Sequence, residues 1–290
     1  MTTAELLKKI RRIEIQTKSL TKQFFSGQYH SSFKGRGMTF SEVREYQIGD
    51  EVRTIDWNVT ARFNDTYVKV FEEERELLVM LVVDISGSID FGTQQQTKKE
   101  LALEVMAILA FSAVENNDKV GALFIADGVE KFIAPGKGRK HALYILREFI
   151  EFTPKSRETH LAKGLEFFVN SMKRRSTCFI ISDFLDNHPF NQSLLVVNKK
   201  HDLVALQITD YAEDHLPDIG IVQWINAESN TYEWVNTSDK NTRALFERKR
   251  KEQKEKINDT FKKSGIAHAV LQTGQDFVPT MIQLFKRHAK

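Results

Sequence analysis

Asp84, Ser86 and Ser88 stand at alternate positions behind an apolar run, in the stretch LLVMLVVDISGSIDFGT from Leu77 to Thr93. Alternate residues of extended backbone point the same way, so one carboxylate and two hydroxyls are offered to one side. Hard oxygen donors of this kind suit a magnesium-class cation, which prefers near-octahedral geometry at about 2.1 Å and keeps several waters. Hydroxyls can bind such an ion directly while carboxylates hold its waters and supply charge. Gly87, between the serines, is read as the residue that lets the loop turn sharply. A third hydroxyl has to come from another loop, and Thr159 in ETHLAKGL, at the start of a predicted helix, is the candidate. A second apolar run, Phe179-Ile180-Ile181-Ser182-Asp183, also closes on a carboxylate. Taken alone, D-x-S-x-S is equally a turn and helix-capping pattern.

The elements that must position these groups alternate along the chain. Apolar strands are predicted at 77–83, 119–126, 177–182, 202–209 and 266–272, with 129–133 as the hairpin partner of the second. Helices are predicted at 98–115, 140–152, 160–172, 190–197 and 277–288. Such alternation gives an α/β fold with a mostly parallel sheet and helices on both faces. Ligands bind such a sheet beyond the carboxyl ends of its strands, where strand order reverses. If the strands ending in Asp84 and Asp183 are neighbours there, both carboxylates face one crevice. Two strand-like pieces, 221–226 and 231–235, form a hairpin insertion near 219–236, followed by a long charged helix at 239–263. Ahead of this domain, 77–290, a segment over 1–76 combines a helix at 4–20 with a glycine-punctuated stretch read as turns and short strands, one of them at 67–71.

Composition excludes several classes. The 290 residues are 41% hydrophobic and 28% charged, as in a soluble globular chain. Lys and Arg total 42 against 39 Asp and Glu, a near balance that argues against wholesale nucleic-acid binding. The charged helix mixes Glu247, Glu252, Glu255 and Asp259 with its basic residues and reads as a solvated face. Cys178 is the only cysteine, so no disulfide or thiolate cluster forms within the chain, which fits a reducing compartment. The N-terminus has no apolar signal-type region and no run approaches membrane-spanning length. A cytoplasmic location without direct membrane insertion is therefore expected. The eight histidines show no metal-ligand spacing; His160 alone, next to Thr159, is placed to rim the site.

The pattern as a whole resembles the metal-ion-dependent adhesion site of von Willebrand factor A domains: D-x-S-x-S after the first strand, a later Thr before a helix, and an Asp closing a middle strand. Asp84, Ser86, Ser88, Thr159 and Asp183 fill all five positions. The resemblance implies a Rossmann-type fold in which the two serines and the threonine bind the metal and the aspartates act mostly through water. One coordination position is then left for an acidic residue of a partner. Mg2+ is the implied ion, with Mn2+ or Ca2+ as alternatives.

A tighter resemblance lies just upstream. GRGMTFSEVREYQIGDEVRTIDWNVTARFNDTYVKVFEEEREL is similar to the signature of a bacterial family, domain of unknown function 58. It is carried by Gly35, Gly37, Arg44, Glu45, Tyr46, Gly49, Asp50, Arg53, Ile55, Asp56, Trp57, Ala61 and Arg62. Members often have Glu where Thr39 stands and Asp where His160 stands, neither of them a presumed ligand. The resemblance implies an adaptor or co-chaperone of a MoxR-type AAA+ ATPase, not an enzyme, with that ATPase or its substrate as partner. Arg44, Tyr46, Asp50, Arg53, Asp56, Trp57, Arg62 and His160 are the candidate partner-binding residues. The same charge-dense signature reads first, however, as a packed, partly buried ion-pair lattice. Two rivals stand beside the interaction module. A metal-dependent hydrolase or phosphotransferase would use Asp84 as nucleophile, but Ser86 replaces the second Asp of a D-x-D motif and no general base is evident. A structural module would keep the site as a vestige.

Overall fold

The computed structural model of the protein describes residues 39–63, 65–72, 76–93, 96–225 and 231–288. The helix expected at 4–20, together with Gly35 and Gly37 of the signature, lies outside the described residues. The chain divides into two compact units, one spanning Lys34–Glu76 and the other containing everything from Leu77 onward.

In the first unit β1 (Thr39–Glu45) pairs antiparallel with β2 (Tyr67–Glu72), and a short helix, α1 (Trp57–Phe63), lies between them in sequence. That helix was not expected, because seven residues give too little periodicity to read. Its start is set by Asp56, whose Oδ1 accepts the N–H groups of Asn58 and Val59 at 3.0 and 3.3 Å.

In the second unit β3 (Leu78–Asp84) is followed by α2 (Lys98–Glu115), the hairpin β4 (Lys119–Ile125) and β5 (Val129–Gly136), α3 (Arg139–Glu151) and α4 (Leu161–Ser171). Then come β6 (Thr177–Ser182), α5 (Asn191–Lys200) and β7 (Asp202–Thr209). A separate hairpin, β8 (Ile221–Ile225) and β9 (Tyr232–Asn236), leads into α6 (Lys240–Lys263), β10 (Ala267–Gln272) and α7 (Val278–His288). The main sheet has the order β10-β7-β6-β3-β4-β5 and is parallel except for β5. The chain winds outward from β3 to β5, then returns to lay β6 against the other side of β3. Strand order thus reverses between β3 and β6, as the two apolar runs ending in carboxylates require.

Alternation along β3 splits the core in two. Val79, Leu81 and Val83 pack with α2, α3 and α7, whereas Met80 and Val82 pack with α4, α5 and the end of α6 through Ile257 and Phe261. Both faces are covered, which is why these strands read as unbroken apolar runs. Helix α2 is apolar almost all round because it is buried almost all round. Its start is fixed by a capping box in which the Thr97 hydroxyl accepts the Glu100 N–H and the Glu100 carboxylate accepts the Thr97 N–H.

Candidate metal centre

β3 and β6 run parallel and in register, with Val83 opposite Ile181. Asp84 is the last residue of β3 and Asp183 the first beyond β6, so the two carboxylates leave the sheet side by side. Both are buried, at 4% and 5% exposure. Asp84 accepts hydrogen bonds from the Ser86 N–H at 3.0 Å and from the Ser182 hydroxyl at 2.7 Å. The chain then enters a single 3-10 turn, Gly87–Asp90. Ser86 is buried, and its Oγ lies 3.2 Å from that of Ser88. Neighbouring ligands of an octahedral ion at 2.1 Å would be about 3.0 Å apart, so these hydroxyls have the spacing of adjacent ligands.

Gly87 does not adopt the left-handed conformation expected of a sharp turn. Its N–H donates instead to the Arg157 carbonyl at 2.9 Å, tying the serine loop to the loop that carries Thr159. Thr159 is itself buried, two residues before α4 begins. That helix lies so close to β4 that a Cβ on Gly164 would stand 2.4 Å from Ile125, which is why glycine occupies the position.

An unexpected residue completes the crevice. Lys98, in the first turn of α2, is 1% exposed, and its ammonium donates to Asp183 at 2.7 Å and to Glu213 at 2.6 Å. A lysine at a helix N-terminus opposes the helix dipole, and burying its charge costs several kcal/mol unless it is paired; here both carboxylates pair it. Burial works to lower the pKa of Lys98, but Asp183 and Glu213 outweigh it, and the group stays charged. Glu213 in turn lies 3.7 Å from the Arg250 guanidinium of α6.

The two aspartates consequently differ. Burial, and then repulsion from Asp183, pushes Asp84 up to about 6 despite the bonds from Ser86 and Ser182. Burial acts on Asp183 in the same direction, but Lys98, with the Leu185 N–H and the Ser88 hydroxyl, holds it below the usual carboxylate range. A cavity of about 10 Å3 lies between them, with Asp84, Ser88, Lys98 and Asp183 in its wall, room for about one water-sized occupant. The donor set is all hard oxygen, and Ser86 and Ser88 stand at the spacing of adjacent ligands, so it fits a small divalent cation. Such an ion would supply positive charge at Asp84 and a Lewis-acidic coordination position.

Beyond Asp183 the backbone takes an unusual course. Phe184 has φ 57, a conformation that costs a bulky residue of order 1–3 kcal/mol. Its ring is buried against Phe261, 5.0 Å away and edge-on, and Phe190. The turn aims Asp183 into the crevice and carries Asp186 toward the start of α4, where it accepts the Leu161 N–H at 2.8 Å.

The signature residues divide. Arg44 and Asp50 form a two-pronged pair at 2.8 Å, and Asp56 caps α1 with Lys69 at 3.5 Å. Trp57 is 66% exposed, Tyr46 is on the surface, and Arg53 and Arg62 point outward. The expected packed lattice is therefore confined to Arg44, Asp50 and Asp56, and the two rings stand outside it. His160 belongs to the other unit, directly beyond Thr159.

The five residues read from the sequence all lie at the carboxyl edge of the sheet. Sequence reasoning missed Ser182, Lys98 and Glu213. Ser182 could have been found one place before Asp183, but a lysine opening a helix gives no sign that it is buried.

The model of a family described as protein of unknown function DUF58 matches residues 42–256. Uncharacterized proteins of Mycobacterium bovis and Mycobacterium tuberculosis are each 33% identical over 223 residues, 76% of this chain and 70% of theirs. Among solved structures, an aerotolerance-related membrane protein from Bacteroides fragilis shares the fold with a TM-score of 0.52 at 12% identity, covering 73% of this chain and 98% of that one. The VWA domain of SpRpn10 aligns at a TM-score of 0.37 and 12% identity, over 46% of this chain and 76% of that one. The cytoplasmic location expected from the N-terminus is overturned by the Bacteroides protein: this fold occurs in a protein described as belonging to membranes. Among the described residues no helix is long and apolar enough to cross one.

Proposed function

The chain belongs to the DUF58 family, and from that premise we propose that its von Willebrand A-like domain is a metal-dependent protein-interaction module. Ser86, Ser88 and Thr159 hold a divalent cation of the Mg2+ class, and Asp84 and Asp183 support it from the sheet. An acidic residue of the partner takes the remaining coordination position. The module acts as an adaptor rather than a catalyst, and its partner is a MoxR-type AAA+ ATPase or that ATPase's substrate. One observation carries this reading: two buried carboxylates on adjacent strands, only one of them neutralised, beside two hydroxyls at ligand spacing.

The protein's own residues do the rest of the work. Ser182 orients Asp84, the Gly87–Arg157 bond keeps the serines near Thr159, and Lys98 holds Asp183 ionised. Lys98 also favours the structural reading, since it already places one positive charge in the crevice. Calorimetric titration of Mg2+ and Mn2+ into wild type, Ser86→Ala and Thr159→Ala separates the two. Saturable binding to wild type that both variants lose supports the metal-dependent module, and acidic partners can then be sought in Mg2+ against chelator. Folded wild type that binds neither ion would leave the structural reading in its place.

A further inference from the structure

Two histidines 28 residues apart in sequence, His160 and His188, meet beside Asp186, next to Thr159. Their rings stack with centroids 4.1 Å apart and planes 10° from parallel. His188 Nδ1 lies 3.0 Å from Asp186 Oδ1 and 3.3 Å from the Thr159 carbonyl. The Asp186 side chain is wholly buried although that of His188 is 49% exposed. Among the described residues, Asp186 has no ion-pair partner other than His188. Its oxygens are fixed by the Leu161 and His188 N–H groups, each at 2.8 Å. His160 Nδ1 is buried without a hydrogen-bond partner, and such an orphaned polar atom costs about 1–3 kcal/mol.

The geometry points to a second metal site here, for a borderline divalent ion of the Zn2+ class, held by His160, Asp186 and His188. One donor atom from each residue lies within 4.8 Å of the other two. A tetrahedral Zn2+ with bonds of about 2.0–2.2 Å holds its ligand atoms about 3.3–3.6 Å apart. The His188–Asp186 pair already stands near that separation. The donor atom of His160 stands no more than 4.8 Å from the other two, and rotation of its ring out of the stack would bring it closer. The ion gives Asp186 a positive charge and, bound through His160 Nδ1, gives that orphaned nitrogen an electron-pair acceptor. Three protein donors leave a fourth position on the side where His188 meets solvent, so the site is of the open type. Nitrogen donors separate it chemically from the all-oxygen centre next door, which favours Mg2+. The inference does not depend on that centre being loaded.

Asp186 also anchors the α4 backbone, so the test leaves it in place. Zn2+ is titrated in excess Mg2+ into wild type, His188→Ala, His160→Ala and Ser86→Ala, and the electronic spectrum of Co2+-loaded wild type is recorded. The expected result is one Zn2+ per chain with Kd below about 1 µM, weakened more than about tenfold in both histidine variants and unchanged in Ser86→Ala. Co2+ should give the strong visible bands of a tetrahedral site with nitrogen ligands, a readout that needs no variant to fold. Zn2+ binding that survives both histidine substitutions overturns the proposal, as does binding lost with Ser86→Ala, or a Co2+ spectrum of plain octahedral aqua type.

Discussion

The ends of β3 and β6 lie side by side, bear the same residue at nearly the same burial, and behave as opposites. At the β3 end Asp84 meets only neutral donors, and its proton is held up to about pH 6. At the β6 end Asp183 meets the Lys98 ammonium and stays ionised. The crevice is thus electrostatically half-filled from within. An added cation gains most at the β3 end, where two serines wait beside a carboxylate that has no counter-charge of its own.

The sharpest way to break this contrast is to remove the resident cation. Lys98→Met should leave Asp183 buried without a counter-charge, and Glu213 with Arg250 alone, and destabilise the chelated protein by about 3–5 kcal/mol. Mg2+ should then raise the thermal midpoint more in this variant than in wild type. An unchanged midpoint in chelator would mean that the two strand ends are alike.

Asp84→Asn probes the other end with a smaller effect of opposite sign. A carboxyl whose pKa is raised in the folded state binds its proton more tightly there than in the unfolded chain. Its contribution to stability is therefore present below the ordinary value of 3.8 and lost as pH climbs through about 6. In chelator at pH 7 the variant should exceed wild type by up to about 3 kcal/mol, an advantage that fades toward pH 4. Asp183 follows the reverse rule and, its pKa being lowered, loses its contribution only below the usual carboxylate range. Denaturant melts across pH 4–7 check the sign. An advantage for the Asp84→Asn variant that is flat with pH would show that Asp84 carries no such shift.

Thr97→Ala gives the smallest change. It removes half of the capping box beneath Lys98 while keeping every charge, and should cost about 1 kcal/mol with the pH profile unaltered. A profile that moves would mean that the helix start, and not the ammonium alone, sets the difference between the strand ends.

How much of this was legible beforehand follows from what each signal depends on. Apolar runs such as 177–182 and 202–209 coincide with their strands because burial on both faces leaves no alternative pattern. Asp84 and Asp183 were legible for the same reason, as charges ending such runs. Helix α1 was not, since a seven-residue helix rests on one capping aspartate. Lys98 and the His160–His188 pair were not legible at all. Their partners come from other loops, and only the fold brings them together.

Phe184 carries one more consequence. Its left-handed backbone is kept by a ring wedged between Phe190, just before α5, and Phe261 on α6. The wedge makes the direction of Asp183 and Asp186 a property of how α5 and α6 pack on the sheet face they share with α4. A pull on α6, which also reaches the buried network through Arg250, would be felt at both carboxylates without any strand moving. Long, charged and exposed along most of its length, α6 is thereby a handle connected to the crevice.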